Sequence, residues 1–560
     1  MNQKINKMFS WLLRQAGGPR YLLVTLLMAS AIYLPFQGHG LWRTSDAREA
    51  EIAREMLANG NLAVPHFNGE VFLEKPPLFS ITIALSYKIL EVSERAARLP
   101  STLFAIAALM GLAVIGKKLK SGLFGVALAL VTGTTVLYLK RGHEAYLDVA
   151  LAAAVIWSLA AFLHAYRPFT REQKTAPLIA FYVLLTAAFF VKGLVGPLVP
   201  LLTVGAYILW LRDYRAFLRL KPWLGLIIFA VLAAPWHYAL FKQGGTEYFK
   251  IFYINNHLYR FVQSDEVDLG HHTEWWWYFW TTWKFFRPWS LLFPVAFITP
   301  FRKEFRAWLG PDSVKFIVSW LVPSFLFFTV SSTKREDYLL PIYGALAALV
   351  AGWMLFRFET EEGPKWERFY GLAFAAIIAA AAVFVPVASF KGYAGPWPLF
   401  ALISLAAAAG AALVVWRMIT DRPRRVWDAV MVAAWLAAIA GAVLLLPVEE
   451  KDRDHSAFCI KVAELTAKKP ALYCMGPSET ERAFLGFYCR RRVTNLELPP
   501  DVSLLPGPGR RIPVAVVART TKQIEERKAA LEAAGMKVEQ ALFDKVSSHR
   551  ACVLWWVRKK

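Results

Sequence analysis

The chain has 560 residues, of which 57% are hydrophobic, and it carries a formal net charge of +23 with 22 Trp and 40 Phe. Its mean hydropathy of +0.39 leaves too little polar residue to cover a soluble core of this size. Apolar runs of about 17–25 residues instead read as a polytopic helical membrane protein. The basic excess is not a nucleic-acid footprint, because Lys and Arg fall in short clusters between apolar runs, as topology signals and contacts to anionic lipid do.

In chain order, the N-terminal run MNQKINKMFSWLLRQAGGPRYLLV has basic residues ahead of its apolar part and no small-residue cleavage site, so it reads as a retained first helix. Spans are expected near 20–38, 98–116, 122–139, 146–166, 176–191, 194–211, 221–241, 276–300, 313–330, 337–357, 367–387, 396–416 and 426–447. The segment 77–91 would reach only about 22 Å as a helix, short of a hydrocarbon core of about 30 Å. Leaving it out places basic clusters in every loop on the N-terminal side, at 117–120, 166–174, 212–221, 301–306, 357–368 and 417–425. The expectation is therefore thirteen spans, with 77–91 as a juxtamembrane or re-entrant helix and the C-terminus outside. On that outer side lie 42–76, 140–148, Lys192, 242–274 and 332–338. Several of these are basic against the rule, and an anionic ligand at the membrane surface would account for that.

Residues 1–450 are thus expected to form a transmembrane domain, with 42–92 as its outer juxtamembrane loop, and 451–560 a small outer α/β domain. In the latter, ALYCMG, RIPVAVVA and ACVLWWV read as buried strands, and TKQIEERKAALEAAG as a helix with a Gly stop. All four cysteines (Cys459, Cys474, Cys489 and Cys552) fall in this region without a CxxC pair. Two or more of them could pair in an oxidising compartment, and the sequence leaves open whether they do and in what connectivity.

The chemistry-bearing residues sit in the outer segments. Asp46 and Glu49 form a capping-box-like D-x-x-E opening the helix AREAEIAREML, and Arg48 and Arg54 read equally well as solvated helix charges. Glu74-Lys75-Pro76-Pro77 fixes an acid and a base at the membrane boundary, where snorkelling is the bland alternative for Lys75. Asp148 begins a span after Arg141, His143 and Glu144, a position the helix dipole favours for any carboxylate. Lys192, followed by GLVGP, is costly at that depth unless it has a partner. In NNHLYRF, Arg260 suits a phosphate clamp and shares a helix face with His257, which is more simply a structural histidine. SSTKREDYLLP brings Lys334, Arg335 and Tyr338 to the outer junction of two spans, Tyr338 doubling as an interfacial belt residue.

These motifs, namely AREAEIAREML with VP and FNGE, LEKPPL, RGHEAYLDVAL, VKGLVGPLVP, NNHLYRF and SSTKREDYLLPIY, resemble the GT-C fold glycosyltransferases. The similarity is to the aminoarabinose transferase (ArnT)-like group of the protein mannosyltransferase superfamily, and it covers most of residues 40–345. The resemblance implies an inverting enzyme of the bacterial inner membrane, with its site and C-terminal domain facing the periplasm. It would move a sugar such as 4-amino-4-deoxy-L-arabinose from undecaprenyl phosphate to an acceptor such as lipid A phosphate, a change that confers polymyxin resistance. A related enzyme with another lipid-linked sugar and a hydroxyl acceptor is the alternative. By resemblance Asp46, Glu74 and Asp148 are the catalytic candidates, and Arg48, Lys75, Lys192, Arg260, Lys334 and Tyr338 the donor-phosphate ligands. No cofactor is required; a divalent metal, if used, would fall to Glu74 or His257. The expected partners are the polyprenyl donor, the acceptor and membrane lipids, and the expected state is a monomer. Where the family opens its first loop with Asp-Glu before Ala-Arg, this chain has Ser45-Asp46, and Glu49 replaces the usual tyrosine. A transporter would instead need charges paired deep in the bilayer and repeat-related halves, and a noncatalytic scaffold would leave the outward basic residues without a task.

Overall fold

The computed structural model describes residues 18–35, 37–41, 43–169, 173–259, 273–360, 364–420, 426–451, 454–469, 471–497, 511–518, 520–547 and 550–559. Two units divide the chain: Met1–Phe36 with Leu73–Phe79 and Ser101–Leu445, and Gln37–Phe72 with Ser80–Pro100 and Leu446–Lys560. The expected cut at 450/451 lies close to the last boundary, but segments 37–72 and 80–100, expected in the transmembrane domain, pack instead with the C-terminal residues.

The first unit is helical. Across the chain, nine described helices are long and apolar enough to cross a membrane, and there are five shorter apolar helices, among them Leu78–Leu90, which lies mostly in the second unit. Their residues are apolar on all sides, which leaves the intrahelical ladder to satisfy the backbone in lipid. Ser121 starts the helix Gly122–Gly133 by accepting from the Phe124 amide. Glycines let this helix approach its predecessor: a Cβ on Gly116 would stand 2.4 Å from the Gly125 Cα. The expected span 122–139 breaks at Thr134–Thr135, where Thr135 caps a second short helix, Val136–Arg141.

The expected single span 276–300 is also in pieces. Helix Trp277–Phe285 is followed by short 3₁₀ and α segments, Trp289–Leu292, Phe293–Ala296 and Thr299–Phe301. Pro288, Pro294 and Pro300 each remove an amide donor, so no continuous ladder can form. Trp289 Nε1 reaches Thr134 Oγ1 at 2.8 Å and the Val136 amide reaches the Arg287 carbonyl at 3.1 Å, so the two breaks support each other.

The second unit contains a hairpin, β1 (His66–Phe67) with β2 (Glu70–Val71), and a five-stranded sheet. The sheet comprises β3 (Leu472–Met475), β4 (Val493–Leu496), β5 (Ile512–Ala518), β6 (Met536–Ser547) and β7 (Arg550–Lys559), in the order β4-β3-β5-β7-β6. β3 runs parallel to β4 and β5, and β7 is antiparallel to β5 and β6. Central β5 is buried along nearly its whole length, as its unbroken apolar run requires. The strand sequences identified above lie on β3, β5 and β7, and the Gly-stopped helix is Thr521–Ala533. All four cysteines are buried thiols that form no disulfide. Burial pushes the Cys489 thiol up to about 12.

Helix Thr44–Asn59 of the first loop packs on Glu479–Cys489. Asn68, at φ +56°, pairs with edge strand β4 as a strand would: its Nδ2 donates to the Val493 carbonyl at 2.6 Å and its Oδ1 accepts from the Val493 amide at 2.7 Å. The loop is closed by Arg98, which is fully buried. Arg98 donates to both Asp46 carboxylate oxygens and to the carbonyls of Gln37, His39 and Gly40. Asp46 is therefore not the helix cap: Arg43 occupies that position, and Asp46 lies in the first turn, taken up by an ion pair.

Two outcomes follow for this unit. Arg98→Ala leaves a buried carboxylate uncompensated, and thermal unfolding in detergent should show a loss of about 3–5 kcal/mol. Glu51 is also fully buried, and desolvation raises its carboxyl from 4.5 to about 8 despite two hydrogen bonds from Arg54. A carboxyl raised on folding stabilises most below its unfolded value, so this contribution is lost as pH rises from about 4.5 to about 8. Glu51→Gln should flatten that slope in a pH series of unfolding measurements.

Candidate active site

Segment 141–148 carries one cluster of buried charge in the helical unit. It is held by several backbone contacts. The Ser101 hydroxyl accepts from the Tyr146 amide at 2.9 Å, Thr102 donates to the Gly142 carbonyl at 3.1 Å, and the His143 ring faces the Leu139 and Ile32 carbonyls. Tyr146 then starts helix Leu147–Ala165, placing Asp148 in its first turn.

Lys192 ends helix Thr175–Lys192, and Gly193 turns the chain at φ +70°. The Lys192 ammonium pairs with Asp148 and lies 4.0 Å from the centre of the Tyr338 ring. Three expected site residues thus meet, and the partner required for a buried lysine is Asp148. His257 lies so close over Gly193 that a Cβ there would clash with its ring, and its Nδ1 faces the Phe252 carbonyl at 2.7 Å. Asn256 reaches the Leu73 carbonyl at 3.5 Å, next to half-buried Glu74 and Lys75 in the bend before Leu78–Leu90.

Beside this cluster is a larger one that the sequence did not single out. Arg141 Nε and Nη2 grip both Asp337 oxygens at 2.5 and 3.1 Å, Nη1 reaches Glu144 at 2.6 Å, and Nη2 also reaches Glu336 at 3.3 Å. Tyr146 Oη donates to Asp337 at 2.6 Å, and its ring lies 4.1 Å from the Arg141 guanidinium. Asp337 and Tyr146 both stood in quoted motifs, but only the fold shows that they meet. Lys334 is occupied differently from expectation: its ammonium donates to the Ser331 and Thr273 carbonyls at 2.8 and 3.2 Å. Burial lowers its pKa.

Asp46 and Arg48 belong to the other unit. Arg48 is buried, donates to Glu479 at 2.8 Å and Glu49 at 3.3 Å, and lies 5.2 Å from the Phe72 ring centre. Arg260 lies outside the described residues. Among the described residues no three His, Cys, Asp or Glu side chains are grouped to hold a metal ion, so Glu74 and His257 belong to no such set.

Residues 74–238 match the family model for dolichyl-phosphate-mannose-protein mannosyltransferases. The undecaprenyl phosphate-α-4-amino-4-deoxy-L-arabinose arabinosyl transferase of Pseudomonas aeruginosa is 27% identical over 442 residues, 77% of each chain. Its counterpart in Erwinia tasmaniensis is 27% identical over 334 residues, 59% of each. The crystal structure of ArnT from Cupriavidus metallidurans bound to undecaprenyl phosphate superposes with a TM-score of 0.73 at 21% identity, covering 95% of this chain and 97% of that one. The apo form of that ArnT gives 0.71. The chain resembles the aminoarabinosyl transferases in sequence and shares the fold of ArnT.

In this ArnT-like chain the family match begins at Glu74 and takes in Asp148 and Lys192. The buried Arg141 network should be sensitive to the loss of either partner. Asp337→Ala removes the carboxylate gripped by two guanidinium nitrogens and frees Tyr146, and a thermal melt in detergent should register a loss of about 3 kcal/mol. Glu336→Gln, at the half-exposed end of the same network, should cost less than about 1 kcal/mol.

Proposed function

We propose that this enzyme transfers a sugar, 4-amino-4-deoxy-L-arabinose, from undecaprenyl phosphate to an acceptor on the periplasmic face of the bacterial inner membrane, lipid A phosphate being the preferred one. The sugar and carrier rest on the relatives' names, of which the P. aeruginosa enzyme covers 77% of this chain. The observation that carries the acceptor class is the state of the carboxylates. Asp46 is taken up by Arg98, Asp148 by Lys192, and Asp337 and Glu144 by Arg141. A carboxylate held by a cation is a poor base. A phosphate acceptor is already ionised at neutral pH and needs none, whereas a hydroxyl acceptor does.

In the proposed step an acceptor phosphate oxygen attacks C1 of the sugar, the C1–O bond to the donor phosphate breaks, and configuration inverts. The negative charge gathers on the departing undecaprenyl phosphate. Lys192, with Lys75 and Arg260, stabilises that charge, and Tyr338 holds the Lys192 ammonium against its ring. Asp148 keeps Lys192 in place and shares it with the donor when the donor binds.

The test is transfer of labelled sugar from undecaprenyl phosphate to lipid A by the purified enzyme in lipid nanodiscs. Lys192→Ala should lower kcat/KM by roughly 100-fold. Lipid A stripped of its phosphates should accept no sugar; continued transfer to it would favour a hydroxyl acceptor. No transfer to any lipid A form would defeat the lipid A assignment.

A further inference from the structure

Around the Asp148–Lys192 pair the described cations differ sharply in how far they are neutralised. Arg141 faces three carboxylates, Lys192 one, and Lys334 is wrapped by backbone carbonyls. Arg335 is the exception. Its guanidinium has one partner among the described residues, the Tyr146 hydroxyl, which accepts from Nη2 at 3.3 Å. No carboxylate among the described residues comes within ion-pair distance of it. Four of its five N–H groups remain for another acceptor.

This arginine is nevertheless firmly placed. Buried Tyr278 clamps its backbone from both sides, donating to the Arg335 carbonyl at 3.2 Å and accepting from the Arg335 amide at 3.4 Å. Tyr146, which steers the side chain, is fixed in turn by Asp337 and by the Arg141 guanidinium. Arg335 is half-buried, three residues before Tyr338, and lies within electrostatic range of Tyr338, Asp337 and Asp148. A half-buried, immobilised guanidinium without a carboxylate bears a desolvation cost that a bound anion would offset.

We propose that Arg335 binds the phosphate of the polyprenyl donor, offering its planar N–H fork beside Tyr338, with Tyr146 as the residue that positions it. The proposal rests on the reading of the enzyme as a polyprenyl-phosphate transferase. Arg335 supplies directional, paired hydrogen bonds, whereas Lys192 supplies a point charge already shared with Asp148. This divides the work: the arginine orients the phosphate, and the lysine responds to the charge that grows on it.

Binding of undecaprenyl phosphate and of decyl phosphate to the full chain in nanodiscs tests this, with a thermal melt of each variant alongside. Arg335→Gln should weaken both probes at least tenfold with an unchanged melt. Arg335→Lys should fall between, because the charge stays and the fork is lost. Tyr146→Phe should weaken binding about threefold, and combining it with Arg335→Gln should add nothing further. Unchanged affinity of Arg335→Gln for both probes would overturn the proposal, as would a wild-type chain that binds neither. If the wild type binds decyl phosphate through Arg335 but not undecaprenyl phosphate, the anion site stands and the donor assignment falls.

Discussion

The helical unit depends on the grip of Arg141 on Asp337. An unpaired charge in an apolar interior costs several kcal/mol, so Arg141 determines what surrounds it: Asp337 and Glu144 within 2.6 Å, and the ring of Tyr146 beneath. This pair joins the end of helix Val136–Arg141 to the 3₁₀ turn Glu336–Ile342, segments almost 200 residues apart in sequence. Tyr338 directly follows Asp337 and Asp148 lies just beyond the Arg141–Tyr146 stretch, and Lys192 touches both. The functional residues are few, and most of the buried charge serves to place them.

The apolar helices, the three strands of the C-terminal region and the need of Lys192 for a partner were legible because each has a local signal. Periodicity marks the helices and strands, and a lysine amid apolar residues announces a partner. What escaped was non-local. Arg98, in RAARLP before a span, reads as an ordinary end charge, yet it closes the first loop by gripping Asp46 and three carbonyls. Asp46 itself fits a helix cap by pattern, and tertiary contact overrode that. The broken segment 276–300 could have been anticipated, since Pro288, Pro294 and Pro300 recur at six-residue steps. The association of residues 37–72 with 446–560 has no local signature at all.

The Ser45-Asp46 opening gains a physical meaning from Arg98. There the single carboxylate is gripped by a single fully buried guanidinium. A second acid there would have stood in excess of the available cation.

The four thiols have a consequence of their own. Each is buried, and burial raises Cys459, Cys474 and Cys489, so almost no thiolate is present to react. All four belong to the unit built around the sheet, and the helical unit has none. The chain therefore carries a built-in clock: the rate at which an alkylating reagent modifies it counts the openings of one unit alone, undisturbed by motion in the membrane-spanning helices.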